Sequence, residues 1–298
     1  MPEIQYPPGI AYIDGQYVPM SEAKISVLDW GFLHSDATYD VVHVWKRRFF
    51  RLDKHIDRFQ QSIDKLRLKL PFEREVLEEI LKQCVIRSGL DDVYVEMVLT
   101  RGVSPTFSRD PRDAINTFFA FAIPFGWVAN EEQRERGLNL AVGRHVRIPG
   151  KSVDPTIKNY HWLDFIQSLY DAYDRDAENV LLCNESGHIT EGPGFNIFVI
   201  RDGILKTPQS GVLEGITRTT AIELCFELRY AVETADISLE ELMQADEVFI
   251  TSTAGGIMPV GRIEGTVVGM ECPGPRTSAL MDLYWHKHKN PAWTTPVD

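Results

Sequence analysis

Two periods of apolar residues divide this chain into recognisable elements. Alternation by two runs through 10–13 and 16–19 on either side of Asp14-Gly15, a pair that supplies the positive φ values of a tight hairpin turn. Residues 1–9, with three prolines and a glycine, read as an irregular arm. Alternation returns over 39–45, placing Tyr39, Val41 and His43 on one face and Asp40, Val42 and Val44 on the other. Lys46-Arg47-Arg48 then turns the chain into 49–52. Over 93–101, Val93, Val95, Met97 and Leu99 oppose Tyr94, Glu96, Val98 and Thr100, and a buried strand is expected over 117–123. Helical spacing governs Ile56, Phe59, Ile63 and Leu66, with Asp53 as the expected cap. A second helix carries Val76, Leu77, Ile80, Leu81, Cys84 and Val85, and Gly89 is placed to end it.

After Pro124-Phe125-Gly126-Trp127 comes a polar, charged stretch, so 124–130 reads as a linker between a smaller domain at 1–123 and a larger one at 131–298. The second half opens with a strand near 138–148. Trp162, Phe165, Ile166, Leu169, Tyr170 and Tyr173 mark an amphipathic helix. Strands are expected at 179–184 and 188–190, and 195–200 pairs with 204–207 through Arg201-Asp202-Gly203. Thr217 is placed to cap a helix, Ser238 and Glu241 have the spacing of a capping box, and a strand over 246–252 runs into Thr253-Ala254-Gly255-Gly256. Pro275 precedes a final helix.

The chemistry centres on Asp154-Pro155-Thr156-Ile157-Lys158-Asn159-Tyr160-His161-Trp162. Pro155 disfavours helix at Asp154, so Lys158 stands just ahead of the helix that follows. Desolvation by Ile157, Tyr160 and Trp162 favours a neutral amine, a nucleophile for a carbonyl, although most lysines are solvated and charged. A second stretch is Glu191-Gly192-Pro193-Gly194-Phe195-Asn196. Together the two resemble the fold type IV pyridoxal-phosphate aminotransferases, over nearly the whole chain. His34-Ser35-Asp36-Ala37-Thr38-Tyr39-Asp40-Val41-Val42-His43-Val44-Trp45 is most similar to the (R)-selective amine transaminases.

The resemblance implies a two-domain α/β (α+β) enzyme, its larger domain carrying a pseudo-barrel-like sheet, with pyridoxal 5'-phosphate between the domains. It implies that Lys158 forms the aldimine and moves the proton, and that Glu191 faces the ring nitrogen. Arg58, the Gly215-Ile216-Thr217 turn and the turn at Thr253 then cup the phosphate, and a helix start suits a dianion. His34, Tyr39, Val41, Tyr94, Glu96, Trp162 and Ala254 are the expected pocket, with Arg109, in the loop over 102–113, a candidate for a keto-acid carboxylate. By pattern alone Glu96 faces either solvent or a cavity, and the resemblance favours the cavity. His43 and His145 read as core histidines. The implied reaction is ping-pong amino transfer from an (R)-configured primary amine to an α-keto acid such as pyruvate, in a homodimer with active sites at the subunit boundary. D-amino acid and branched-chain transaminases and aminodeoxychorismate lyase share the fold, and a non-catalytic ligand-binding relative is a further alternative.

Composition narrows the partners. The chain has 298 residues, 44% of them apolar and 25% charged, ordinary for a globular protein. A net charge of -12 works against a general nucleic-acid surface, so any phosphate site is local. No apolar run reaches membrane-spanning length and Met1-Pro2-Glu3-Ile4-Gln5 lacks signal-peptide character, so a cytoplasmic protein is expected. Cys84, Cys183, Cys225 and Cys272 are widely spaced, which indicates neither a disulfide framework nor a zinc site. His286 and His288, two apart on a helix, do not share a face and make a poor metal pair.

Overall fold

The computed structural model describes residues 4–298. Part of the irregular arm, Met1 to Glu3, therefore lies outside the described residues. The chain forms two compact units, one comprising the residues up to Gly126 with Ile157–Tyr160 and Asn290–Asp298, the other Trp127–Thr156 with His161–Lys289. An uninterrupted domain over 131–298 is thus corrected at two places. Thr294–Pro296 pairs antiparallel with Arg48–Phe50, and Asn159 bridges Thr38, so backbone hydrogen bonds take both segments into the first unit. The expected linker is also partly structured. Pro124 ends a strand, and Asn130 caps the helix Glu131–Arg136 in a capping box with Gln133.

The first unit is built on a seven-stranded antiparallel sheet in the order Thr294–Pro296, Arg48–Phe50, Ala37–Trp45, Val93–Val103, Ile115–Pro124, Ile10–Ile13, Gln16–Pro19. One face of its central strands, including Val42, Val44, Val95 and Met97, packs with Ile56, Phe59 and Ile63 of the helix Leu52–Lys65 and Leu77, Leu81 and Val85 of the helix Arg74–Ser88. The other face carries Tyr39, Val41 and Val98, with Tyr94, Phe119 and Tyr160 against them. Asp53 does not cap its helix. Arg51, in the left-handed region at φ 57°, takes that position and its carbonyl accepts from Lys54 and His55, leaving Asp53 in the first turn.

The second unit holds a nine-stranded mixed sheet with the main path Ala231–Ala235, Ile204–Pro208, Phe195–Arg201, Glu247–Ser252, Gly256–Ile263, Leu138–Val142, Asn179–Leu181. The short strand Glu191–Gly192 pairs with Phe195–Arg201. The strand expected over 138–148 stops at Val142, where the chain leaves the sheet and turns Arg147 inward. Residues 188–190 make isolated bridges, Ile189 to Cys183 and His188 to Ser238. Helix Leu163–Tyr173 buries Asp164, Phe165, Ser168 and Ala172 and leaves Ile166, Tyr170 and Tyr173 exposed, a rotation from the expected stripe that takes the Asp164 carboxylate to Arg147. Among the described residues no helix is long and apolar enough to cross a membrane.

Gly256 ties a sequence choice to stability. Its φ is 71°, and a Cβ there would lie 2.4 Å from Cε1 of the fully buried Tyr284. Gly256→Ala is expected to cost about 2–4 kcal/mol through overpacking and left-handed strain. Urea unfolding checks this, and a loss below about 0.5 kcal/mol would contradict it.

Candidate active site

In the first unit the segment Ile157–Tyr160 lies against the end of the strand Ala37–Trp45. The Lys158 carbonyl accepts from Thr38 Oγ1 at 2.8 Å and from the Tyr39 amide at 3.2 Å, bonds that hold its backbone against the strand. Nζ stands 4.2 Å from the centre of the Tyr39 ring. Tyr39 in turn stacks on Tyr160, with centroids 4.3 Å apart and planes 14° from parallel. The Tyr160 hydroxyl donates to Glu96 Oε1 at 2.7 Å, and that of Tyr94 to Oε2 at 3.3 Å. Burial pushes the Glu96 carboxyl up, while Tyr160, Lys158 and Tyr94 pull it down. Burial and then the charge of Glu96 raise both tyrosines, so their hydroxyls stay protonated as donors. Val41 is buried on the same sheet face.

Beneath this face lies a charged core. Asp40 is fully buried, and Arg58 donates to it through Nε at 2.7 Å and Nη2 at 2.9 Å. His55 Nδ1 lies 2.8 Å from Oδ1, and because an ionised carboxylate only accepts, that nitrogen carries the proton. Burial alone would raise the Asp40 carboxyl, but Arg58 and His55 hold it well below the usual carboxylate range. Burial presses His55 down against the pull of Asp40, which keeps the ring neutral at neutral pH. Arg58, off the apolar stripe of its helix, is nonetheless buried. The alternation of the strand put Asp40 on the face of Val42 and Val44, which is the packed one.

Glu191 anchors the second cluster, in the second unit. It is 6% exposed, and Gly192 after it has no room for a side chain, since a Cβ would meet Phe195 Cζ at 2.1 Å and the Val180 carbonyl oxygen at 2.4 Å. Oε2 accepts from the Leu213 amide at 2.9 Å and Asn196 Nδ2 at 3.3 Å. Oε1 accepts from Arg147 Nε at 3.3 Å, and Arg147 Nη1 donates to Asp164 Oδ2 at 2.7 Å. Arg147 and Asp164 were not foreseen, because neither belongs to an apolar period or to the motif around Glu191.

The helix Ile216–Glu227 begins after Gly215, so Thr217 is its second residue and not its cap. A Cβ on Gly215 would lie 2.1 Å from Asn196 Oδ1, which explains the glycine. The amides of the first turn, Ile216 and Thr217 among them, have no partner within the helix. Thr217 is buried and Ile216 half-buried. Thr253 and Ala254 occupy the turn between Glu247–Ser252 and Gly256–Ile263, where Ser252 Oγ accepts from the Ala254 amide at 3.2 Å. Trp162 packs on Phe165, centroids 5.6 Å apart.

Three other residues singled out by the sequence are exposed. His34 is exposed at the end of the helix Trp30–His34 with its ring against Trp30, and Arg109 is exposed on its loop. His145, expected in the core, is exposed because the turn before Arg147 carries it outward. His43 is buried and stacks on Phe50. Among the described residues no cluster of histidine, cysteine or acidic side chains could hold a metal ion.

A two-sheet chain holding a lysine beside stacked tyrosines in one unit and a buried, arginine-bonded carboxylate in the other matches the class IV amino-transferase model over residues 37–263. The chain belongs to the class IV aminotransferases, the fold type IV enzymes. It is 31% identical over 276 residues to the putative branched-chain-amino-acid aminotransferase of Methanocaldococcus jannaschii, covering 92% of this chain and 94% of that one. It is 30% identical over 279 residues to a D-alanine aminotransferase of Listeria monocytogenes, covering 91% and 93%. Among solved structures, the branched-chain amino acid aminotransferase from Thermobaculum terrenum in its PLP-form superimposes with a TM-score of 0.88 at 26% identity, covering 99% of this chain and 100% of that one.

Proposed function

We propose that this aminotransferase moves the amino group of an (R)-configured primary amine without an α-carboxylate to an α-keto acid such as pyruvate. The observation that carries this reading is Glu96, a half-buried carboxylate bonded to Tyr160, whose ring stacks on the tyrosine facing Lys158 Nζ. An acidic group there repels a substrate carboxylate and leaves an apolar amine unopposed.

The cofactor is pyridoxal 5'-phosphate, and each unit holds groups of the kind it needs: a lysine in the first, and in the second a buried carboxylate suited to the ring nitrogen and a helix start suited to the phosphate. When bound, it supplies an aldehyde for the lysine and an electron sink for the substrate's Cα. Lys158 Nζ is the general acid and base that takes the Cα proton. Glu191, oriented by Arg147, Asn196 and the Leu213 amide, would favour the protonated ring nitrogen. In the second unit Ile216, Thr217 and Thr253 would hold the phosphate, and in the first unit Tyr39, Val41 and Tyr94 would line a substrate pocket.

Glu96→Gln tests the substrate reading. The ratio of kcat/KM for D-alanine to that for (R)-1-phenylethylamine is expected to rise on the order of tenfold, since a charge pair several ångströms apart near a protein surface is worth about 1–2 kcal/mol. In the wild type the preference for the amine should widen with rising pH as Glu96 ionises. An unchanged ratio in the variant would remove the reading. The names of the relatives favour a second one, an amino acid transaminase, in which D-alanine or L-leucine is turned over faster than any simple amine.

A further inference from the structure

Arg218, the third residue of the helix Ile216–Glu227, is 8% exposed. Its Nε–H donates to Thr207 Oγ1 at 3.1 Å and its Nη2–H to the Pro208 carbonyl at 2.8 Å, both neutral acceptors at the end of the strand Ile204–Pro208. The Thr207 hydroxyl gives its own proton to the Ile197 carbonyl at 2.8 Å, which fixes it as an acceptor for Arg218. Among the described residues no carboxylate forms an ion pair with Arg218. Arg58 and Arg147, buried to a similar degree, each have one, Asp40 for the first, Asp164 and Glu191 for the second. Burial presses the Arg218 guanidinium below the usual arginine range, with Glu214 and Glu191 opposing from beyond ion-pair distance.

A buried cation with no counter-ion is costly, and a chain with 43 acidic residues against 31 basic ones has no shortage of partners. An anionic ligand would balance it. Arg58 does not leave the same surplus in the first unit, because Asp40 already matches its charge.

We infer that Arg218 is a positioning residue for the cofactor phosphate, tying the first turn of its helix to the strand end and holding one uncompensated positive charge there for the dianion. The inference rests on the cofactor reading above. It assigns Arg218 no contact with the phosphate, whose direct partners in this unit are the amides of the first turn and the turn at Thr253.

The test titrates cofactor-free wild type, Arg218→Met and Arg218→Lys with pyridoxal phosphate and with pyridoxal, which lacks the phosphate, following the visible band of the bound aldehyde. Arg218→Met is expected to lower the preference for the phosphorylated aldehyde by about tenfold or more, and to weaken competition by inorganic phosphate alongside. Arg218→Lys keeps the charge and is expected to hold the preference within about threefold of wild type. Equal losses for both aldehydes in the Met variant would reduce Arg218 to a structural strut and overturn the inference alone. If the Met variant does not fold, the Lys variant decides, because a preference lost with the charge retained also overturns it. A wild-type protein that forms no band with either aldehyde overturns the cofactor reading itself.

Discussion

Replacing Lys158 with alanine is expected to lower amino transfer by about 10⁴-fold or more while leaving the protein folded. The loss follows from removing the nucleophile and the general acid–base in one substitution. The retained fold follows from what holds the segment, since Thr38 and Tyr39 bond to the Lys158 carbonyl, which alanine keeps. The side chain contributes its approach to the Tyr39 ring, worth about 0.5–1 kcal/mol at a partly exposed site. Steady-state turnover with a urea unfolding curve checks both halves. Turnover near the wild-type rate would end the assignment of Lys158, and an unfolded variant would show that the segment depends on the side chain.

The largest stability effect is expected at Asp40. Asp40→Ala leaves the Arg58 guanidinium buried without its carboxylate and takes the acceptor from His55, and breaking a buried pair from one side costs about 3–5 kcal/mol. The pH dependence has a definite sign. The folded carboxyl lies below its unfolded value, so its contribution is fully present above the ordinary aspartate range near pH 4 and is lost as the pH falls through the depressed folded value. The wild-type advantage over Asp40→Ala should therefore hold between about pH 5 and 8 and shrink in strong acid. Unfolding midpoints measured at several pH values decide this, and a variant within about 1 kcal/mol of wild type at pH 7 would show that Asp40 carries no such role.

Much of this arrangement was legible where one period governed one face. The alternation over 39–45 and 93–101 placed Tyr39, Val41 and Tyr94 opposite the packed face of Val42, Val95 and Met97, as found. Glu96 was the informative exception on its strand, a carboxylate where β-propensity disfavours one, and its tyrosine partners now account for it. Tyr160 was read only as a desolvating neighbour of Lys158, because stacking on Tyr39 brings together residues far apart in sequence. Arg147 and Asp164 escaped for a related reason. Their pairing turns the helix Leu163–Tyr173 so that a carboxylate, not Ile166, faces inward, and apolar spacing cannot express that preference. The helix starts at Arg51 and Gly215 were misplaced by one rule, the expectation of a side-chain cap, where the backbone and a close approach to Asn196 decided. The return of 157–160 and 290–298 to the first unit rests on strand and bridge pairing, which has no local signature.

The most direct measurement is the visible absorption spectrum of the purified protein, before and after adding (R)- and then (S)-1-phenylethylamine with no keto acid present. The expected result is a yellow band that is lost with the (R)-amine alone and returns on adding pyruvate, joining cofactor, half-reaction and enantiopreference in one experiment. A band that ignores both amines yet bleaches with D-alanine or L-leucine would contradict the substrate assignment, and a protein that stays colourless with pyridoxal phosphate would contradict the role of Lys158 and Glu191 together.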